Sequence, residues 1–79
     1  MRYITGTCFT IKDIRILRTL KCENISSLKP GIYTILTIRK KNSKIEYNLT
    51  EGKSRFSVLF ENTEDADRFI ALCRNERYP

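Results

Sequence analysis

The sequence predicts a small α+β domain: an antiparallel sheet of four to five strands, or a partly closed β-barrel, with one C-terminal helix. Short segments in which apolar and polar residues alternate are typical of half-buried strands. A single apolar stripe near the C-terminus is typical of a helix that packs on a sheet. The chain has 79 residues and no repeat or Pro/Gly-rich linker, which predicts a single domain over residues 1–79.

Two strands are predicted in the first third of the chain. Every second position from residue 3 to residue 11 holds a residue typical of strands, namely Tyr3, Thr5, Thr7, Phe9 and Ile11. Gly6 indicates a bulge or a sharp bend within the strand predicted over residues 2–11. Residues 13–20 fit either a strand or one face of a helix, and we favour a strand. The pair Pro30 and Gly31 then predicts a turn.

Three further strands are predicted to form a meander over residues 32–39, 44–49 and 55–60. We expect the first of them to be central, because apolar residues occur on both of its faces. Strict alternation places Ile32, Leu36 and Ile38 on one face, and Tyr33 with Arg39 on the other. Residues 40–43 and 51–53 are the expected turns. The inward residues of the second and third strands are predicted to be Ile45, Tyr47, Leu49, Phe56, Val58 and Phe60.

A helix is predicted over residues 63–76. Asn62 is a favourable N-cap with Asp65 at the N3 position, and acidic residues in the first turn complement the helix dipole. The residues expected to pack on the sheet are Ala66, Phe69, Ile70 and Cys73.

Positive charge is concentrated in the predicted sheet. Residues 1–60 contain 12 basic and 4 acidic side chains, whereas residues 61–79 contain 3 basic and 5 acidic ones. Such a field attracts nucleic acid, an anionic membrane or an acidic protein surface. A solvated surface that only maintains solubility is the simpler alternative.

Catalysis and metal binding are not expected. The chain has no His and three widely spaced Cys, so a nucleophile with an imidazole base and a zinc site both lack their usual components. No Gly-rich phosphate loop is present, and no apolar run approaches the roughly 18 residues of a membrane span. We expect no enzyme activity, no cofactor, no membrane partner and no secretory signal, and therefore a cytoplasmic location.

The candidate binding residues combine cations with a strand aromatic, as binding of single-stranded nucleic acid requires. Tyr33 is the expected base-stacking residue, with Tyr3 and Tyr47 as the other strand tyrosines. Phosphate contacts are expected from a basic hairpin that contains Arg39, Lys40, Lys41 and Lys44. Lys53 and Arg55 are expected to lie beside this hairpin and to contribute further contacts.

One segment, residues 25 to about 60, resembles a known family. The pattern is Ile25-x-x-Leu28-Lys29-x-Gly31-x-Tyr33-x-Ile35-x-x-Ile38, followed by Ser43 and Lys44. It resembles small OB-like single-stranded-DNA-binding domains of viral proteins, although Ile45 replaces the glycine usual after the Ser-Lys pair. Similar strings occur in SH3-like barrels. The resemblance implies phosphate contacts at Lys40, Lys41 and Lys44 and stacking on Tyr33, without sequence-specific readout.

These observations predict a basic binding module for single-stranded nucleic acid. The alternative is a virus-encoded protein-interaction module that binds and inhibits a host factor, with the basic face on an acidic protein surface. The location would then be the host cell cytoplasm. A monomer is expected, or a homodimer formed by pairing of sheet edges.

Overall fold

The fold is an antiparallel five-stranded sheet covered on one face by a C-terminal helix. A computed structural model describes residues 2–12, 15, 22–23 and 28–76. The strands are β1 (Cys8–Ile11), β2 (Cys22–Glu23), β3 (Gly31–Lys41), β4 (Lys44–Glu51) and β5 (Ser54–Phe60), and the helix is α1 (Thr63–Cys73). The strand order is β1-β3-β4-β5-β2. The predicted α+β class with an antiparallel sheet and a C-terminal helix is confirmed.

The sheet is open in the described part of the chain. Strands β1 and β2 lie at opposite ends of the strand order, and no described residue of one pairs with the other. Most of the predicted strand 13–20 lies outside the described residues, and only Arg15 is described there, in helical conformation. Among the described residues, no strand pairing supports the alternative of a partly closed β-barrel.

Strand β1 is shorter than predicted because the chain turns before it. Residues 5 and 6 form a turn, and Gly6 has a φ of 95°, a conformation that glycine adopts without steric cost. The Gly6 and Thr7 backbone groups then bond to Ile35 on β3, at 2.8 Å and 2.9 Å. The expected bend at Gly6 is thus a turn that starts the pairing of β1 with β3.

Strand β3 contains a bulge that the sequence pattern does not reveal. Ile35 pairs with Leu49 and Thr37 pairs with Asn48, so Leu36 is an extra residue between two consecutive pairs. A bulge reverses the alternation of the strand beyond it, because the side-chain period is two. Before the bulge odd-numbered residues face the helix, and after it even-numbered residues such as Ile38 do.

Helix α1 has the expected N-cap and an identifiable C-cap. The Asp65 backbone N–H donates to Asn62 Oδ1 at 2.8 Å, which confirms the predicted cap. Asn75 has a φ of 55°, and the Glu76 N–H bonds to the Ala71 carbonyl while the Asn75 N–H bonds to Leu72. This is a Schellman motif, and it ends the helix at Cys73 rather than at the predicted residue 76.

The core lies between α1 and the face of the sheet that we call the inner face. Phe69 contacts the rings of Phe9 and Phe60 edge-on, with centroids 5.7 Å and 5.4 Å away. The predicted helix stripe is buried at Ala66, Phe69 and Ile70, with Cys73 partly buried against it. The buried inner-face residues are Phe9, Ile11, Tyr33, Ile35, Tyr47, Leu49, Val58 and Phe60.

Two hydrogen bonds connect the N-terminal segment to α1 and to the residues that follow α1. The Arg2 backbone N–H donates to Asp67 Oδ2 at 3.0 Å, and the Tyr3 hydroxyl donates to Glu76 Oε2 at 3.2 Å. Asp67 is the one buried charged residue in the described part of the chain. We call these two hydrogen bonds the terminal clasp.

Candidate nucleic-acid interface

The β3–β4 hairpin ends in a two-residue turn. Strand pairing continues to Lys41 opposite Lys44, which leaves only Asn42 and Ser43 in the turn. Asn42 has a φ of 58°, and Asn is one of the few non-glycine residues that adopts this left-handed conformation readily. The turn is therefore tighter than the four-residue loop expected from the sequence.

The hairpin brings four of the predicted site residues together. Arg39, Lys40 and Lys41 are exposed, and Lys44 is half-buried. Arg39 pairs with Glu46, and Lys40 pairs with the inward-facing Ile45. Directly opposed residues share a face, so Arg39, Lys41 and Lys44 lie on the face away from α1. We call it the outer face, whereas Lys40, opposite Ile45, lies on the inner face. We call Arg39, Lys40, Lys41 and Lys44 together the hairpin cluster.

Two carboxylates contact the hairpin cluster. Lys41 Nζ lies 3.6 Å from Glu46 Oε2, and Lys44 Nζ lies 3.7 Å from Glu61 Oε1. The Ser57 hydroxyl and the Asn48 amide donate to Glu46 at 3.0 Å and 3.3 Å. These bonds, that from Ser57 above all, hold the pKa of Glu46 below its usual range. Two carboxylates thus offset part of the four positive charges.

Sequence reasoning missed the role of Glu46, yet a signal was available. The alternation over residues 44–49 places Glu46 on the side opposite Ile45, Tyr47 and Leu49, in the strand that follows that of Arg39. If the turn between the two strands has only two residues, Asn42 and Ser43, the strand register places Glu46 directly opposite Arg39. A cross-strand pair of opposite charges stabilises a hairpin by about 0.2–1 kcal/mol.

Lys53 and Arg55 are not part of the hairpin cluster. They are exposed residues at the β4–β5 turn, where Arg55 pairs with Thr50. Strand β4 has eight residues, so at about 3.3 Å per residue its two turns are roughly 23 Å apart. The expectation that these residues lie beside the Arg39 to Lys44 stretch is wrong, because consecutive turns of a meander lie at opposite ends of the sheet.

Tyr33 is fully buried, so the expectation of an exposed base-stacking residue is wrong. Its side chain is 0% exposed, and its ring stacks on Phe9 at a centroid distance of 5.9 Å. Its hydroxyl donates to the Lys29 carbonyl at 2.7 Å and accepts from the Lys29 N–H at 3.1 Å. Strict alternation had placed Tyr33 with Arg39, but the bulge at Leu36 puts these two residues on opposite faces.

The other two tyrosines that we expected in strands are also buried, Tyr3 at 6% and Tyr47 at 1% exposure. Tyr3 lies outside the sheet, because β1 begins only at Cys8. Burial raises the pKa of Tyr47 to about 12, and its hydroxyl has no hydrogen-bond partner among the described residues. Within residues 2–12, 15, 22–23 and 28–76, no aromatic side chain is classed as exposed. The described surface therefore offers cations for phosphates but no ring for bases.

Two further features of the described residues concern metal binding and thiol reactivity. No group of three His, Cys, Asp or Glu side chains there lies close enough to hold a metal ion. Cys73 is partly buried, and desolvation raises the pKa of its thiol to about 12. Cys8 is an exposed free thiol whose Sγ lies 3.4 Å from Thr34 Oγ1.

Surface cavities lined by described residues include the following two. One, of about 280 Å³, lies at the hairpin turn and is lined by Lys41, Asn42, Ser43, Lys44 and Leu59. The second, of about 320 Å³, lies between β1 and the end of α1 and is lined by Cys8, Phe9, Thr10, Lys12, Cys73, Arg74 and Asn75. Only the first coincides with predicted site residues.

No helix in the described residues is long and apolar enough to cross a membrane. No protein-family model matches the chain, and no significant match was found among curated proteins or solved structures.

Proposed function

We propose that this protein is a non-catalytic module that binds single-stranded nucleic acid through phosphate contacts at the hairpin cluster. The observation that carries the proposal is the concentration of Arg39, Lys40, Lys41 and Lys44 around one two-residue turn. Non-specific binding of nucleic acid depends on such cations, because phosphate neutralisation releases condensed counterions. Sequence-independent phosphate binding needs no base stacking on Tyr33.

The experiment is fluorescence anisotropy with a labelled random oligonucleotide at about 50 mM salt. Three or four neutralised phosphates give a slope of log K against log salt of about −2 to −3, from roughly 0.7 per contact on single strands. A slope near zero, or no binding at this salt concentration, would contradict the proposal.

A matched pair of variants locates the interface. Replacing Lys40, Lys41 and Lys44 together by Glu is expected to abolish binding. The double variant Lys53→Glu and Arg55→Glu introduces charge reversals at the other end of β4 and is expected to weaken binding much less. Circular dichroism of both variants confirms that they are folded. Equal losses in the two variants would show that net charge, and not the hairpin cluster, determines binding.

Two finer features belong to the same proposal. An OB-like or SH3-like relationship is supported by the meander β3–β5 and the helix that follows it. A cytoplasmic location, in a host cell if the chain is viral, is supported by the free thiols of Cys8 and Cys73, since reducing compartments keep thiols unpaired.

A protein-interaction module is the second candidate, and the apolar residues on the outer face favour it. Ile32 is 66% exposed and Leu36 is 39% exposed, next to the Thr34 side chain. Exposed apolar residues beside polar ones are found at protein interfaces. If the oligonucleotide does not bind, the basic hairpin cluster is assigned to an acidic protein partner. Ile32→Thr should then weaken that complex.

A further inference from the structure

Two lysines are held directly opposite each other at the end of the β3–β4 hairpin. Lys41 and Lys44 form the last pair of the strand ladder, so their Cβ atoms are about 4.5–5.5 Å apart. Like charges in directly opposed positions destabilise a hairpin. The backbone register therefore places the two lysine side chains next to each other on the outer face, from where both ammonium groups can reach one anion.

An external anion can compete with the two carboxylates that pair with these lysines. Each lysine contacts a different carboxylate, Lys41 that of Glu46 and Lys44 that of Glu61, at 3.6 Å and 3.7 Å. Each pair has one well exposed partner: Lys41 is 62% exposed beside Glu46 at 15%, and Glu61 is 57% exposed beside Lys44 at 30%. Solvent screening weakens ion pairs that water reaches, and a phosphate contacted by both lysines makes charge-assisted hydrogen bonds to each of them at once.

The cavity at this position has polar and apolar walls. Besides the two lysines it is lined by Asn42, Ser43 and Leu59, and Leu59 projects from the outer face because it pairs with Glu46. The Ser43 hydroxyl and the Asn42 amide are hydrogen-bond donors for phosphate oxygens. Its volume of about 280 Å³ is at the lower limit for ligand pockets, which suits a phosphate with an adjoining sugar.

We infer that this cavity is a binding site for a single phosphate group, with Lys41 and Lys44 as its cationic contacts. The group it accepts is a phosphodiester of single-stranded nucleic acid, and this assignment of the ligand rests on the function proposed above. Ser43 and Asn42 donate to the phosphate oxygens, and Leu59 contacts the neighbouring sugar. The site contacts no base edge and therefore carries no sequence preference.

The site itself is tested with inorganic phosphate, titrated at constant ionic strength and followed by amide NMR shifts. We expect saturable shifts confined to residues 41–44 and Leu59. They should be lost in Lys41→Gln and in Lys44→Gln but retained in Lys40→Gln, which removes the same charge from a neighbouring position outside the cavity lining. Shifts that do not saturate, or that survive equally in all three variants, would overturn the inference.

The ligand is tested with the oligonucleotide and the same three variants. Loss of one charged hydrogen bond lowers affinity about tenfold, so Lys41→Gln and Lys44→Gln should each do so. Each should also reduce the magnitude of the salt slope by about 0.7, and Lys40→Gln should have a smaller effect on affinity. If the oligonucleotide binds but the three variants are equivalent, the inference fails and the proposed function stands. If phosphate binds at the cavity and the oligonucleotide does not, the phosphate site stands and the proposed function fails.

Discussion

The two faces of the sheet differ in what holds their side chains in place. On the inner face, apolar residues are excluded from water by α1, as in the ring contacts of Phe69 with Phe9 and Phe60. On the outer face, positions are set by polar bonds between strands, such as that from Asn48 Nδ2 to Thr37 Oγ1 at 2.8 Å. We therefore expect inner-face changes to affect stability, and outer-face changes to affect binding with little effect on stability.

The largest expected effect is that of Phe69→Ala. Its ring is 1% exposed and lies at the centre of the helix–sheet contact, so truncation should lower the free energy of unfolding by about 3–5 kcal/mol. Leu72→Ala is the matched control, because Leu72 is 49% exposed on the same helix, and it should cost less than about 1 kcal/mol. Denaturant titration measures both, and equal losses would show that α1 does not pack through Phe69.

Two buried tyrosines give a second, smaller contrast within the inner face. Tyr33→Phe removes the partner of the Lys29 N–H and carbonyl and should lower stability by about 1–3 kcal/mol. Tyr47→Phe removes a buried hydroxyl that has no partner among the described residues, so it should be neutral or stabilising. If Tyr47→Phe were the more damaging change, the Tyr47 hydroxyl would have to be hydrogen-bonded in solution.

Alkaline pH should lower the free energy of unfolding by a smaller amount, through the Cys73 thiol of α1. Burial raises the pKa of the Cys73 thiol from 9.0 to about 12, so between these values the folded protein binds more protons than the unfolded one. The contribution of Cys73 is complete below pH 9 and is lost as pH rises toward 12. Thermal unfolding of Cys73→Ala should show a shallower alkaline loss, by about 1–2 kcal/mol near pH 10.5. Identical alkaline profiles would contradict burial of the thiol.

The smallest expected effect is on the outer face. Ile32 is 66% exposed, and Ile32→Thr should change the free energy of unfolding by no more than about 0.5 kcal/mol. Its oligonucleotide affinity should also be unchanged, because Ile32 lies far along β3 from the hairpin cluster. A loss above 1 kcal/mol would mean that the outer face is covered in solution, and the contrast between the faces would not hold.

The same two faces explain which parts of the fold were predictable from sequence. Alternation placed Ile45, Tyr47 and Leu49 correctly, because the extra residue of the bulge lies in β3 and β4 itself is regular along its whole length. It failed for Tyr33, since a bulge is set by how two strands pair and leaves no local signal at Leu36. The N-cap Asn62 was predictable because capping depends on residues close in sequence, as was the concentration of basic residues between Arg39 and Lys44.

The separation of Lys53 from the hairpin cluster was missed for a different reason. A meander reverses direction at every turn, so a residue that follows a basic stretch closely in sequence can lie at the opposite end of the sheet. The length of β4, eight residues, separates the two turns that flank it. Lys53 therefore lies at the opposite end of β4 from the hairpin cluster. The carboxylates of Glu46 and Glu61 were missed because their contacts depend on side-chain positions that cross strands.

The terminal clasp has a consequence for the order of folding. It joins residues at the two ends of the chain, Arg2 with Asp67 and Tyr3 with Glu76, whereas the meander β3–β5 is closed by two-residue turns. Contacts between distant residues carry the larger loop-closure entropy and tend to form late. We therefore expect Tyr3→Phe to accelerate unfolding while leaving the refolding rate nearly unchanged. The meander would then be the nucleus of folding, and β1 with α1 would dock onto it afterwards.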